Sequence, residues 1–299
     1  DYHLGVVALV NSLIVHGFKG VIWGGYQGDI PKWATPLKRT GHYDEYRVTE
    51  HCVIRFIPVF TTIHLARHKP VFIKSILESD KSIDAIAYFD PDIVVCWNWS
   101  YYEEWMKCGV AVCEDLASPY SANHPLRAAW RKLCETHGIK CHDTSMTEYA
   151  NSGFVGVTRE NAEILDDWQK VLGLVQIHHP QALNSFPYKD RSHPFFRTDQ
   201  DALNAAAMFS RCPLSLLNKT AMCFTPGFPM MAHAAGTCKP WKKPLIAAAL
   251  NGVPPSRADK EFVLHSGGPI RAFSALKLMS MRAQVTLAAM LGRFIRRAS

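Results

Sequence analysis

The stretch Ala85-Ile86-Ala87-Tyr88-Phe89-Asp90-Pro91-Asp92-Ile93-Val94-Val95 sets two carboxylates inside a run that otherwise reads as a buried strand. Residues two apart on an extended strand point the same way, so Asp90 and Asp92 are expected to project together. Pro91 disfavours a helical conformation at Asp90 and removes a ladder donor, which places the acids where regular pairing ends. Two like charges at the edge of a core repel and are costly to desolvate unless a cation or a set of donors meets them. A divalent metal ion answers both costs. A lone Asp-x-Asp is more often a solvated surface turn. Here the apolar residues on both sides place the pair at a buried strand end, where open α/β sheets bind ligands.

Outward from this strand, apolar segments alternate between helical and strand patterns, which predicts an α/β fold. Residues 4–15 read as a helix, 20–26 and 51–59 as strands, 70–78 as a helix, and 86–95 as a third strand. A helix starts at 99–108, a short strand follows at 109–115, and an amphipathic helix at 125–138 is closed by Gly138. Residues 149–172 read as a strand followed by a helix, and 199–209 as another helix. The Pro- and His-rich stretch 178–197 reads as a mobile loop. The pattern shows no internal repeat and no low-complexity linker, so no boundary is drawn from residue 1 to about 265. The chain opens at Asp1 already close to a helical pattern, and a first strand is expected to precede it.

With 299 residues, 48% of them hydrophobic, the chain can bury a sizeable core. Nine cysteines, an odd number without a Cys-x-x-Cys pair, read as reduced thiols of the cytoplasm. No apolar run reaches the roughly 18–20 residues that a membrane span requires, and no signal peptide is recognisable. The net charge of +7 is unevenly spread: after Glu261 there is no acidic residue, while Arg271, Lys277, Arg282, Arg293, Arg296 and Arg297 follow. Arg271, Arg282 and Arg293 are spaced by three helical turns and share one face. The tail 269–299 is therefore predicted as a basic amphipathic helix, and it admits two readings. Residues 270–297 lie on an anionic membrane surface, peripheral at the inner face, or their apolar side packs on the domain and leaves the arginines solvated. Nothing in the motifs points to nucleic acid as a partner.

Two enzyme families carry an acid pair at such a strand end. Haloacid dehalogenase-like phosphatases continue into Gly-Thr, near the chain start; here Ile93-Val94 follows instead, after some ninety residues. The segment His233-Ala234-Ala235-Gly236-Thr237-Cys238-Lys239-Pro240-Trp241 resembles the HxxGxxKPW signature of glycosyltransferase family eight, the retaining enzymes related to glycogenin and to lipopolysaccharide galactosyl- and glucosyltransferases. Asn151-Ser152-Gly153 looks like the family's N-[AST]-G strand start, and Asp199-Gln200-Asp201-Ala202-Leu203-Asn204 like its DQDxLN helix start. The four motifs stand in the family's order. Departures are Phe89-Asp90-Pro91-Asp92 where the family commonly has LDxD, and residues 96–150, which follow no family pattern.

The resemblance implies a GT-A (Rossmann-like) fold over residues 1–268, a mixed central sheet flanked by helices. It further implies a metal-dependent retaining transferase that moves a hexose from a UDP-sugar to a glycan or lipid-linked acceptor. In that pattern Asp90, Asp92 and His233 are the metal ligands, and two carboxylates with an imidazole suit Mn²⁺ better than Mg²⁺. Lys239 adds positive charge at the distal phosphate, and Gly236 lets the backbone approach closely. Asn151, Ser152 and Gly153 border the donor, Asp199 bonds sugar hydroxyls, Gln200 faces the anomeric carbon, and Tyr2 lies against the uracil. The aromatic run with Trp97, Trp99 and Tyr101 either lines the acceptor cleft or is core. The competing functions are a metal-dependent phosphohydrolase or nucleotidyltransferase using the same acid pair, and a non-catalytic membrane-binding module.

Overall fold

The computed structural model describes residues 1–142, 145–183 and 188–295. Arg296 and Arg297, and part of the loop read at 178–197, lie outside the described residues. In chain order the elements are α1 (His3–Val15), β1 (Gly20–Tyr26), β2 (Lys38–Thr40), β3 (Tyr43–Thr49), β4 (Cys52–Pro58), α2 (Lys69–Ser79), β5 (Ala85–Phe89) and β6 (Ile93–Val95). There follow α3 (Trp99–Lys107), β7 (Val110–Glu114), α4 (Pro125–Thr136), β8 (Ala150–Thr158), α5 (Glu163–His178), α6 (Thr198–Phe209) and β9 (Leu214–Leu217). The last four are β10 (Met231–His233), α7 (Leu245–Leu250), α8 (Arg257–His265) and α9 (Ala275–Phe294). They form two compact units, Asp1–Phe60 with Asp90–Tyr101 and Thr220–Ser299, and Thr61–Phe89 with Tyr102–Lys219.

In the first unit, β1 runs parallel to β4, which pairs antiparallel with β3, and β3 with β2. The helix α1 is apolar nearly all round, as a buried helix must be; Val7 and Val10 pack with Ile54, Phe56 and Ile270. Its two buried polar residues are both bonded. The Asn11 amide donates to the Ile270 and His265 carbonyls at 3.0 and 2.9 Å and accepts from the Ile270 N–H at 3.0 Å. The Ser12 hydroxyl accepts the Val95 N–H at 2.9 Å and so ties α1 to β6. β6 pairs antiparallel with β10, with His233 opposite Ile93. A capping box of Ser256 and Asp259 opens α8. α9 lies on α7 and α8 through Val285, Ala288 and Leu291, so closely that a Cβ at Gly292 would stand 2.4 Å from Pro254.

The second unit is built on the sheet β5-β8-β7-β9, parallel only between β7 and β9. β8 sits inside the sheet and is buried along almost its whole length. Every residue of α6 is buried. Its Asn204 side chain fixes it to β8 by accepting the Ala150 N–H at 2.7 Å and donating to the Ala150 carbonyl at 2.8 Å.

The strand read as continuous over 86–95 is broken. β5 stops at Phe89, Asp90-Pro91-Asp92 is a turn closed by the Ile93 N–H on the Asp90 carbonyl at 3.0 Å, and β6 belongs to another sheet. Pro91, which cannot donate to a ladder, sits at the break.

Candidate metal centre

The turn between β5 and β6 and the end of β10 bring Asp90, Asp92 and His233 together, with one ligand atom from each lying within 4.8 Å of the others. The side chains of Asp92 and His233 are each 5% exposed, and His233 Nε2 stands 3.4 Å from Asp92 Oδ1. Lys239 Nζ bonds Asp92 Oδ2 at 2.5 Å and the Ala234 carbonyl at 2.9 Å, while the Ala234 N–H returns a bond to the Asp92 carbonyl at 3.0 Å. Burial pushes the Asp92 carboxyl up, but the His233 imidazole and the Lys239 ammonium outweigh it and hold the group at about 2. The carboxylate is therefore ionised at neutral pH and draws positive charge. His233 Nδ1 is buried without a hydrogen-bond partner, an arrangement native proteins avoid unless the group has another task. Two carboxylates and an imidazole at this spacing fit a divalent metal ion.

The other predicted residues of the first unit differ in setting. Gly236 is exposed, and an added Cβ there would meet no protein atom within 4 Å, so packing does not explain the glycine. Tyr2 is 54% exposed and stands edge-on to Trp241 at 5.6 Å. The aromatic run divides. Trp97 and Tyr101 are exposed and meet in a T-shaped contact at 5.9 Å, whereas Trp99 packs on Phe18 at 4.8 Å. Further on, Tyr102 and Trp105 are core.

In the second unit the Asn-Ser-Gly and Asp-Gln-Asp motifs converge. Ser152 Oγ donates to Asp199 Oδ2 at 2.8 Å, and the Ser152 N–H to Gln200 Oε1 at 3.3 Å. Asn151 donates to Asp115 Oδ2 at 2.7 Å and accepts the Gly153 N–H at 2.8 Å. Sequence reasoning missed two charged residues of this cluster and a third at its rim. Lys69 Nζ, 2% exposed, pairs with Asp199 Oδ2 at 3.0 Å and lies 5.0 Å from the centre of the Tyr88 ring. Asp115 is held by Arg197 Nη1 at 2.7 Å. Burial raises the Asp115 carboxyl, and the Ala117 N–H, Arg197 and Asn151 bring it below the usual range. Asp115 ends an apolar strand as Asp90 does, and that signal could have found it. Lys69 opens α2 next to Pro70 and reads in the sequence as an ordinary solvated helix start.

No protein-family model matches the chain, and no curated protein sequence matches it. Solved structures do. The apo form of the bifunctional glycosyltransferase WbbM is similar at a TM-score of 0.51 with 16% identity, over 95% of this chain and 50% of its own. An active-site mutant of LgtC is similar at a TM-score of 0.50 with 14% identity, over 95% of this chain and 96% of its own. The chain thus spans about half the length of the WbbM chain. At these identities the likeness is one of fold, and the fold is the GT-A arrangement of mixed sheets flanked by helices.

Proposed function

We propose that this chain is a metal-dependent, retaining glycosyltransferase that moves a hexose from a UDP-sugar to a glycan or lipid-linked acceptor in the cytoplasm. The observation that carries the reading is the cluster of half-buried Asp90 with the buried side chains of Asp92 and His233, Lys239 being bonded to Asp92, on a chain whose fold is shared with glycosyltransferases. Asp90, Asp92 and His233 would hold the ion, Mn²⁺ in preference to Mg²⁺. When bound, a divalent cation supplies Lewis acidity that stabilises charge building on a leaving diphosphate.

The chain's own residues supply the rest. Lys239 offers an ammonium to the distal phosphate, and Gly236 leaves the backbone open to close approach. Asp199, fixed by Lys69 and Ser152, has a second oxygen to receive a sugar hydroxyl. Gln200, whose Oε1 is held by the Ser152 N–H, would meet the anomeric carbon. Tyr2 takes the uracil, and the exposed pair Trp97 and Tyr101 is the better candidate for an acceptor sugar than Trp99, which is already packed.

The test is thermal stabilisation by UDP with Mn²⁺. The native chain should gain several degrees. Asp92→Asn should still fold but melt lower without ligand, because Lys239 loses its carboxylate partner, and should show no gain over its own ligand-free value. The native chain should also hydrolyse UDP-glucose or UDP-galactose slowly without acceptor. Undiminished stabilisation of Asp92→Asn would sink the metal assignment; hydrolysis of aryl phosphates in place of UDP-sugars would make the chain a phosphohydrolase.

A further inference from the structure

The helix α9 has two apolar faces, and the fold uses one. At about 100° per residue, Met281, Val285, Ala288 and Gly292 form the side that meets α7 and α8. On the opposite side Leu276, Met279, Ala283, Leu287, Met290 and Phe294 recur every three or four residues and are exposed, Leu276 by 80% and Phe294 by 87%. A row of large apolar side chains left in water over a helix of 20 residues, about 30 Å long, is an interaction surface. Its flanks carry only one sign of charge. Arg282 and Arg293, three turns apart, line one flank, Lys277 stands on the other, and no acidic residue follows Glu261 anywhere in the sequence.

We propose that this face of α9 docks the protein on an anionic lipid surface, the stripe entering the boundary between head groups and acyl chains while the arginines and Lys277 meet lipid phosphates. The charge pattern decides the occupant. A second copy of α9 laid on this face would bring cation rows together with no carboxylate in the segment to pair them, whereas an anionic bilayer supplies both the apolar layer and the counter-charge. No helix among the described residues is long and apolar enough to cross a membrane, so the attachment is to its surface. The inference rests on α9 alone and stands or falls apart from the donor reading.

Co-sedimentation of the full chain with vesicles tests it. At low salt the protein should sediment with phosphatidylcholine mixed with phosphatidylglycerol, not with phosphatidylcholine alone, and added salt should release it. Met279→Glu with Met290→Glu should abolish binding. Arg282→Gln with Arg293→Gln should weaken it roughly thirtyfold, from two cationic contacts with the membrane. Both double variants change exposed side chains and should melt as the native chain does, which separates lost docking from lost fold. Absence of native binding to the mixed vesicles, or binding undiminished by the glutamates, would overturn the proposal. So would a dimer in solution that the glutamates split in a chain that ignores vesicles, since the stripe would then hold a second copy.

Discussion

Asp201 is the carboxyl whose surroundings most favour its neutral form. It accepts the Tyr149 hydroxyl at 2.6 Å and the Arg197 N–H at 2.7 Å, yet burial outweighs both donors and pushes it up to about 8. The folded chain then holds a proton between its unfolded value of 3.8 and about 8 that the unfolded chain has released. That contribution is present in full at the acid end, falls as pH rises through the window and is gone above it. Burial lowers several histidines, which pull the other way, but these are common to native chain and variant. The native urea midpoint should therefore fall relative to that of Asp201→Asn from pH 5 to 8, and parallel profiles would refute the assignment. Asp92 and Asp115 are held low and titrate below this window. Of these groups, Asp92 was legible in the sequence because a motif names it, and Asp115 only through its place at a strand end. Lys69 was not legible at all, because the acid that neutralises it lies on α6, 130 positions on, and only the fold brings the two together.

The elements show the same dependence on partners. Long periodic segments such as α1, α5 and α6 are readable from their pattern. The hairpin of β2 and β3 was missed because Tyr43–Thr49, with Asp44, Glu45 and Arg47, carries too much charge to look like a strand. The three-residue β10 makes sense only as the partner of β6. α1 illustrates how an element can serve a site without contributing a ligand. A Cβ at its Gly5 would stand 2.0 Å from the Pro91 carbonyl and 2.8 Å from the Trp241 ring, so the glycine is what lets the helix pass against the Asp90–Asp92 turn. Gly5→Ala should cost about 1–3 kcal/mol by overpacking, read from urea unfolding, and should loosen Mn²⁺ binding because the displaced backbone carries Asp92. Native stability in that variant would show that α1 yields more easily than its packing implies.

For the whole molecule, the fold class was legible because four motifs kept their order, while the division of strands among separate sheets was not, since pairing is decided by residues far apart in the chain. The proposed reaction makes its own prediction at this scale. An α-linked UDP-sugar should give an α-linked product, read from the anomeric proton coupling, and Gln200→Ala should slow transfer roughly ten- to a hundredfold, about 1.4–2.7 kcal/mol in the barrier. A β-linked product would rule out retention and with it the role given to Gln200. The bonds from Asn11 to His265 and Ile270 reach across as many as 259 positions, and this has a consequence for biosynthesis. On a ribosome adding 5–20 residues per second, α1 emerges tens of seconds before the carbonyls that satisfy its buried amide. Throughout that interval this apolar helix has no finished place to go. The stretches Thr61–Phe89 and Tyr102–Lys219 are by then complete, so during translation the unit that holds α1 closes after its neighbour.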